Sequence, residues 1–169
     1  MNKSQLKKRF IIGSANFTQK YGVDSTIVNN QEIKKIFNLA KKNNIYRVDT
    51  AETYLKKQKK YLQFNKKFKF SSKIIPNRKW VSLEFCQKKL DSHFKNLRQN
   101  NVETLLFHDI KILFSKNGYK IFKNLEELKK RKYFRKIGLS IYDTECLNYM
   151  INNYDLDVVQ CPYNILDKR

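Results

Sequence analysis

The stretch "RVDTAETY" (47–54) closes a short apolar run with a carboxylate, Asp49, and follows it five places later with a phenol, Tyr54. Two later runs close on polar residues as well: "FKFSSKI" (68–74) on Lys73, and "VETLLFHD" (102–109) on His108. These four side-chain types suit one kind of proton transfer. A free phenol has a pKa of about 10, too high for easy proton exchange at neutral pH. A neighbouring ammonium stabilises the phenolate and lowers that value, and a carboxylate can hold the ammonium in place. A histidine opposite can orient a carbonyl oxygen, leaving Tyr54 as general acid while a hydride attacks the carbonyl carbon. No protein side chain donates a hydride, so such a site would need a nicotinamide cofactor.

Taken singly, each residue has a plainer role, because a polar residue after a strand commonly caps a helix or ends a ladder. Lys73 is one lysine in a lysine-rich chain. The second histidine, His93, stands mid-helix among polar residues and is expected at the solvated surface. The combination depends on elements that bring the four together. Short β-rich runs occur at 9–15, 45–51, 68–74, 102–109, 135–142 and 156–163. Segments of helical period lie between them. "NQEIKKIFNLAKKN" spaces Ile33, Ile36, Phe37 and Ala40 on one face, with Asn30 as the expected N-cap. "SLEFCQKKLDSHFKNL" places Leu83, Cys86, Leu90, Phe94 and Leu97 in one stripe after a Ser82 cap. "YKIFKNLEELKKRKYF" does the same with Ile121, Leu125 and Leu128, ahead of a basic last turn that suits the helix dipole. "DTECLNYMINNY" offers Leu147, Met150, Ile151 and Tyr154. Between Asp49 and the third strand, "LKKQKKYLQFNK" (55–66) lacks an apolar stripe, and an eroded helix is expected there.

Strands alternating with helices of this length predict βαβ units and a parallel sheet in one domain, residues 1–169, with no Gly/Pro/Ser-rich linker. An open doubly wound sheet would carry a glycine-rich turn after its first strand. "GSANFTQKYG" is not one, and there is no phosphate-binding loop. Polar residues instead recur at the ends of successive strands: Asp49, Lys73, His108, Ser140 and Gln160. A (β/α)8 TIM barrel opens all such ends onto one mouth and is the favoured architecture.

The chain has 36 Lys and Arg against 15 Asp and Glu, a formal charge of +21. That balance attracts nucleic acids and anionic surfaces. The cations are spread as pairs rather than gathered in an arm, and an AT-rich genome would enrich Lys, Asn, Ile, Phe and Tyr together. The usual nucleic-acid recognition motifs are missing, so a basic nucleic-acid binder ranks third among the readings. Cys86, Cys146 and Cys161 lie far apart without metal-ligand spacing, and an odd number fits reduced thiols. No apolar run approaches the ~20 residues that span a bilayer. A cytoplasmic protein without a metal centre is expected.

"DTAETY" resembles the D-T-A-x-x-Y signature of the aldo-keto reductases, and the resemblance runs along nearly the whole chain. "IIGSANFTQKYGV" is similar to that family's opening strand and loop, "FKFSSKI" to the strand ending in its catalytic lysine, and "LLFHD" to the strand ending in its histidine. "KIGLSIYD" resembles its G-x-S strand, and "VVQCPYNILDKR" its Q-x-P-[YF]-N-x-x-D-[RK]-R segment. The resemblance implies a (β/α)8 barrel, NADPH or NADH as cofactor, and reduction of an aldehyde or ketone to an alcohol. It implies a tetrad of Asp49, Tyr54, Lys73 and His108, with Ser140 and Gln160 bonding the nicotinamide carboxamide. Small carbonyl or alcohol substrates are the implied partners, and no membrane.

Three departures accompany the likeness. Ile141 stands where many members carry an asparagine that contacts the carboxamide, and Leu55 where they carry a glycine that lets the backbone turn after the tyrosine. Tyr142 and Tyr163 lie at strand ends, where packing is their expected role. Only about six βα units are present, so a fragment, a remnant or part of a split protein is expected, with open edges on strands one and six and poor stability alone. A degenerate, non-catalytic relative is the alternative function.

Overall fold

The computed structural model describes residues 7, 9–22, 26–54, 67–143 and 145–166. The eroded helix expected at 55–66, with Leu55, lies outside the described residues, as do residues 167–169. Among the described residues there are six strands: β1 Ile12–Gly13, β2 Arg47–Asp49, β3 Lys69–Ile74, β4 Val102–Phe107, β5 Phe134–Ser140 and β6 Val158–Gln160. All pair in parallel, and their spatial order is their chain order. A doubly wound sheet reverses its strand order midway; an unreversed order is that of a barrel wall. The six strands make a curled partial barrel whose edges, among the described residues, are β1 and β6.

Among the described residues four α-helices cover the sheet: α1 Asn30–Lys42, α2 Leu83–Leu97, α3 Gly118–Lys130 and α4 Leu147–Asn153. α1 begins one residue earlier than expected, because Asn29 rather than Asn30 is extended and caps it. The Asn29 side chain accepts from the amides of Gln31 and Glu32, both at 3.0 Å, while Glu32 accepts from the Asn29 amide at 3.1 Å. This capping box satisfies donors that the first turn leaves open. Ile33, Phe37 and Ala40 are buried beneath it, and Phe37 packs edge-on against Phe68 at 4.9 Å.

α2 starts at Ser82 as expected, its hydroxyl accepting from the Phe85 amide. Cys86, Leu90, Phe94 and Leu97 are buried. His93 is buried with them, only 4% exposed, which corrects the surface expectation. Its position explains this: Cys86, Leu90, His93 and Leu97 follow i, i+4, i+7, i+11 and share one stripe. The imidazole Nε2 and the Ser72 hydroxyl on β3 lie 2.8 Å apart in a hydrogen bond.

α3 buries Ile121, Leu125 and Leu128 as the spacing requires, together with Phe122. Asn124 is buried as well and donates to the carbonyls of Trp80 and Val81, both at 2.9 Å, tying α3 to the turn before α2. α4 turns Met150 and Tyr154 inward, and the Tyr154 hydroxyl donates to the Leu113 carbonyl. Ile151, expected in the same stripe, is 55% exposed. This two-turn helix has room for one inward row, and Met150 fills it.

Glycine is obligatory at one place in the sheet. A Cβ on Gly138 would stand 1.8 Å from the carbonyl oxygen of Val158, its register partner on β6. No helix among the described residues is long and apolar enough to cross a membrane.

Two outcomes follow. Gly138→Ala should destabilise the chain by at least the upper end of the ~1–3 kcal/mol range for overpacking, since the atom it meets is backbone. Gly13→Ala, with nothing within 4 Å of the added carbon, should change the melting temperature little; equal effects of the two in thermal melts would contradict this packing. Burial also pushes the His93 imidazole down from 6.5 to about 4. Between those values the unfolded chain binds a proton that the folded chain refuses, so stability present above about pH 6.5 falls as the pH drops toward 4. The loss should be on the order of 3 kcal/mol by the lower limit. Urea titrations of His93→Gln, which keeps a partner for Ser72 but does not titrate, should show a shallower acid slope than the parent chain.

Candidate active site

Parallel pairing puts every strand's C-terminal end on one side, and the residues that close the strands meet there. Asp49 ends β2, Ser140 ends β5 and Gln160 ends β6. Lys73 is the next-to-last residue of β3, and His108 follows β4 directly, its amide donating to the Ile74 carbonyl at 2.8 Å. The same ladder continues past β2, where the Thr50 amide donates to Ser71 at 2.9 Å. Residues 52–54 then form a tight turn closed by the Tyr54 amide on Ala51 at 3.0 Å, which carries the phenol back over the strand ends. Asp49, Tyr54, Lys73, His108, Ser140 and Gln160 all line one cavity of about 270 Å³. All six residues singled out from the sequence therefore meet in one place.

Within the cavity, Lys73 is almost fully buried and its ammonium donates to the Asp49 carboxylate, with a longer contact to the Thr50 carbonyl at 3.4 Å. Burying that charge is tolerable because it is paired. The Tyr54 ring stands edge-on to the His108 ring, centroids 6.1 Å apart and planes at 89°. Ser140 and Gln160 are register partners on adjacent strands. Three buried polar atoms on residues that line the cavity, Ser14 Oγ, His108 Nδ1 and Gln160 Oε1, have no hydrogen-bond partner among the described residues.

The electrostatics differ from expectation at the phenol. Tyr54 is pushed up to about 12, first by burial, then by the Asp49 charge, with smaller contributions from Tyr21 and Tyr142. The ammonium expected to lower it is paired with Asp49, so burial, with the carboxylate's repulsion of a phenolate beside it, prevails. Tyr54 thus holds its proton throughout the neutral range. His108 is lowered from its ordinary value by burial and by the Lys73 charge, so its ring is neutral at pH 7.

The aromatics also differ from expectation. Tyr142 is 60% exposed and Tyr163 74%, so neither packs; Tyr142 walls the cavity and hydrogen-bonds Tyr21. Ile141 is buried and presents an apolar wall where an amide side chain would stand in the aldo-keto reductase pattern. Tyr21 and Ser14 belong to the cavity and were not singled out from the sequence. The signal for Ser14 was its place one residue after β1, the same strand-end position as the others. Tyr21 has no spacing signal, because it reaches the cavity by the course of a loop. Among the described residues no three His, Cys, Asp or Glu side chains gather as a metal site.

Comparison with known proteins agrees with this geometry. Residues 9–169 match the model of the Aldo/keto reductase family. A Pseudomonas aeruginosa structure, itself assigned to the aldo-keto reductases on prediction, superposes with a TM-score of 0.71 at 19% identity, covering 94% of this chain and 63% of that one. An aldo-keto reductase from Bacillus halodurans in its holo form gives 0.68 at 15% identity, covering 92% and 53%. One from Brucella melitensis gives 0.62 at 19%, covering 90% and 57%. At such identities the likeness speaks for the fold, and the chain spans less than two thirds of these structures' length. Among curated proteins, none matches at the level of sequence. With nearly its whole length matched, the chain belongs to the aldo/keto reductase family.

Proposed function

We propose that the cavity serves NADPH- or NADH-dependent reduction of an aldehyde or ketone to an alcohol, or the reverse oxidation. The convergence of Asp49, Tyr54, Lys73 and His108 on one cavity, in a chain of this family, carries the reading. Tyr54, protonated at neutral pH, is the general acid that gives its proton to the carbonyl oxygen. Lys73, fixed by Asp49, places a positive charge in the same cavity, where negative charge develops on that oxygen. Neutral His108 offers a ring N–H to orient the carbonyl. The nicotinamide, when bound, supplies the hydride.

Ser140 and Gln160 are the residues to hold its carboxamide. The buried Gln160 Oε1, without a partner among the described residues, is an acceptor suited to an amide N–H, and the Ser140 hydroxyl stands beside it in register. At about 270 Å³ the cavity has room for a ring-sized group with a small carbonyl compound, and not for a whole dinucleotide. Ile141 offers no hydrogen bond on its side of that group.

A second reading, a relative that binds without turnover, has two observations in its favour: Lys73 is committed to Asp49, and the phenol sits well above the pKa that serves proton transfer best.

Two measurements separate these. Tyr54→Phe should lower NADPH-dependent reduction of a simple aromatic aldehyde by about 100-fold or more, the usual weight of a general acid, while saturable quenching of NADPH fluorescence persists. Turnover unchanged by the substitution overturns the assignment; binding without turnover in the parent chain selects the second reading; absence of both binding and turnover removes the proposal. The pH profile is equally telling. With Tyr54 at about 12, reduction should stay flat through pH 10, the ordinary phenol value, instead of falling there.

A further inference from the structure

Two tyrosines at the cavity take no part in the chemistry described above. Tyr142 stands two residues past the end of β5, and Tyr21 arrives from the segment after β1. Gly138 pairs with Leu106 and Leu106 with Lys73, so these three share the face of the sheet that carries the buried lysine. Alternation along β5 puts Ser140 and Tyr142 on that same face. Tyr21 is brought there by its loop. The Asn16 side chain donates to the Tyr21 carbonyl at 2.7 Å and to the Thr26 carbonyl at 3.3 Å. The Asn16 carbonyl in turn accepts from the Val28 amide at 2.9 Å. Gly22 follows Tyr21 at φ 78°, where a glycine turns without strain.

The two phenols meet across the cavity. β1 and β5 are four strand spacings apart in the sheet order, about 19 Å if the sheet were flat. The curl of the sheet brings the segments that follow them together. Tyr142 hydrogen-bonds Tyr21, and this bond, with burial, holds the Tyr142 phenol above its ordinary 10.0, so it keeps its proton at neutral pH. Both tyrosines lie near enough to Tyr54 to disfavour its phenolate. Their rings are 48% and 60% exposed, and neither belongs to the buried core. Packing therefore does not require them at this place; what they share is the wall of the cavity with Asp49, Tyr54, Lys73 and His108.

We infer that Tyr21 and Tyr142 set the size limit of the substrate. Joined by their hydroxyls, they form a bar across the mouth that admits a single-ring aryl ketone and holds back a fused-ring one unless the bond opens. This rests on the reading of the cavity as a carbonyl site. A volume of about 270 Å³ leaves little space beyond one such ring beside a nicotinamide. The bar is held at both ends, by Asn16 on the β1 side and by the strand itself on the β5 side. A neutral hydrogen bond nets little, so parting this one should cost a bulky substrate roughly three- to tenfold in affinity.

Ligand-observed NMR titrations with methyl phenyl ketone and methyl naphthyl ketone test this, with NADP+ present so that neither ketone is reduced. The larger apolar area of the naphthyl group would by itself favour the second compound. In the parent chain the phenyl ketone should nevertheless bind at least as tightly. Tyr21→Phe, Tyr142→Phe and the double variant should each raise the naphthyl-to-phenyl affinity ratio by the same roughly three- to tenfold. Equal effects that do not add are the mark of two hydroxyls sharing one bond. Tyr163→Phe, at an exposed tyrosine outside the cavity, should leave the ratio where it was. Tighter binding of the naphthyl ketone in the parent chain overturns the inference while leaving the carbonyl reading intact. An unchanged ratio in both single variants, or effects that add in the double, does the same. Binding of neither ketone by any of these proteins overturns the carbonyl reading, and the size limit with it.

Discussion

Parallel pairing in chain order is the constraint on which everything else in this molecule depends. When six strands run the same way beside their sequence neighbours, every strand must end on the same side. Asp49, Lys73, His108, Ser140 and Gln160 are separated by tens of residues in the chain, yet the ladder leaves them nowhere to go but one mouth. The register refines this. Ser140 sits directly against Gln160, so these two polar residues are set side by side rather than merely on the same edge.

The helices make that ladder affordable by covering its outer face. Phe37 meets Phe68, Phe107 stacks near Phe122, and Tyr154 reaches from the end of α4 to the Leu113 carbonyl. Polar residues inside this layer are used as ties. Asn124 holds the Trp80 turn to α3, and His93 joins α2 to Ser72 on β3, the residue immediately before Lys73. That tie gives the buried lysine a rigid neighbour on the opposite face of the strand. Close approach of backbones is paid for in side-chain volume at Gly138, where β5 and β6 meet with no room for a methyl group.

Charge is divided between the two ends of the sheet. At the strand ends, one ammonium is matched by one carboxylate, and the phenol in the same cavity remains protonated. At the strand starts, Lys69, Lys130, Lys132 and Arg135 pair with no carboxylate among the described residues. A formal charge of +21 gives no hint of this division, because lysine pairs are spread along the chain. Only the pairing of particular acids with particular cations shows which charges are spent and which remain.

Much of this was written in the sequence. Strand-like runs ending in polar residues, with helical periods between them, specify parallel βα units and name the side chains at the strand ends, because periodicity and order are local properties of the chain. The stripe through Cys86, Leu90 and Leu97 was legible in the same way. His93 belonged to that stripe by spacing, but its polar type argued for the surface; burial became possible only because Ser72 stood opposite. The spacing put the cap of α1 at Asn30, and only the backbone, extended at Asn29, moves it one residue earlier. The direction of the Tyr54 shift runs against the lowering that the sequence suggested. The sequence supplies an ammonium, a carboxylate and a phenol, and which two of them pair depends on distances that only the folded strands set. The sequence by itself determined which groups meet; the tertiary structure decided which of them are bonded, because a pKa answers to the nearest charge and the depth of burial rather than to composition.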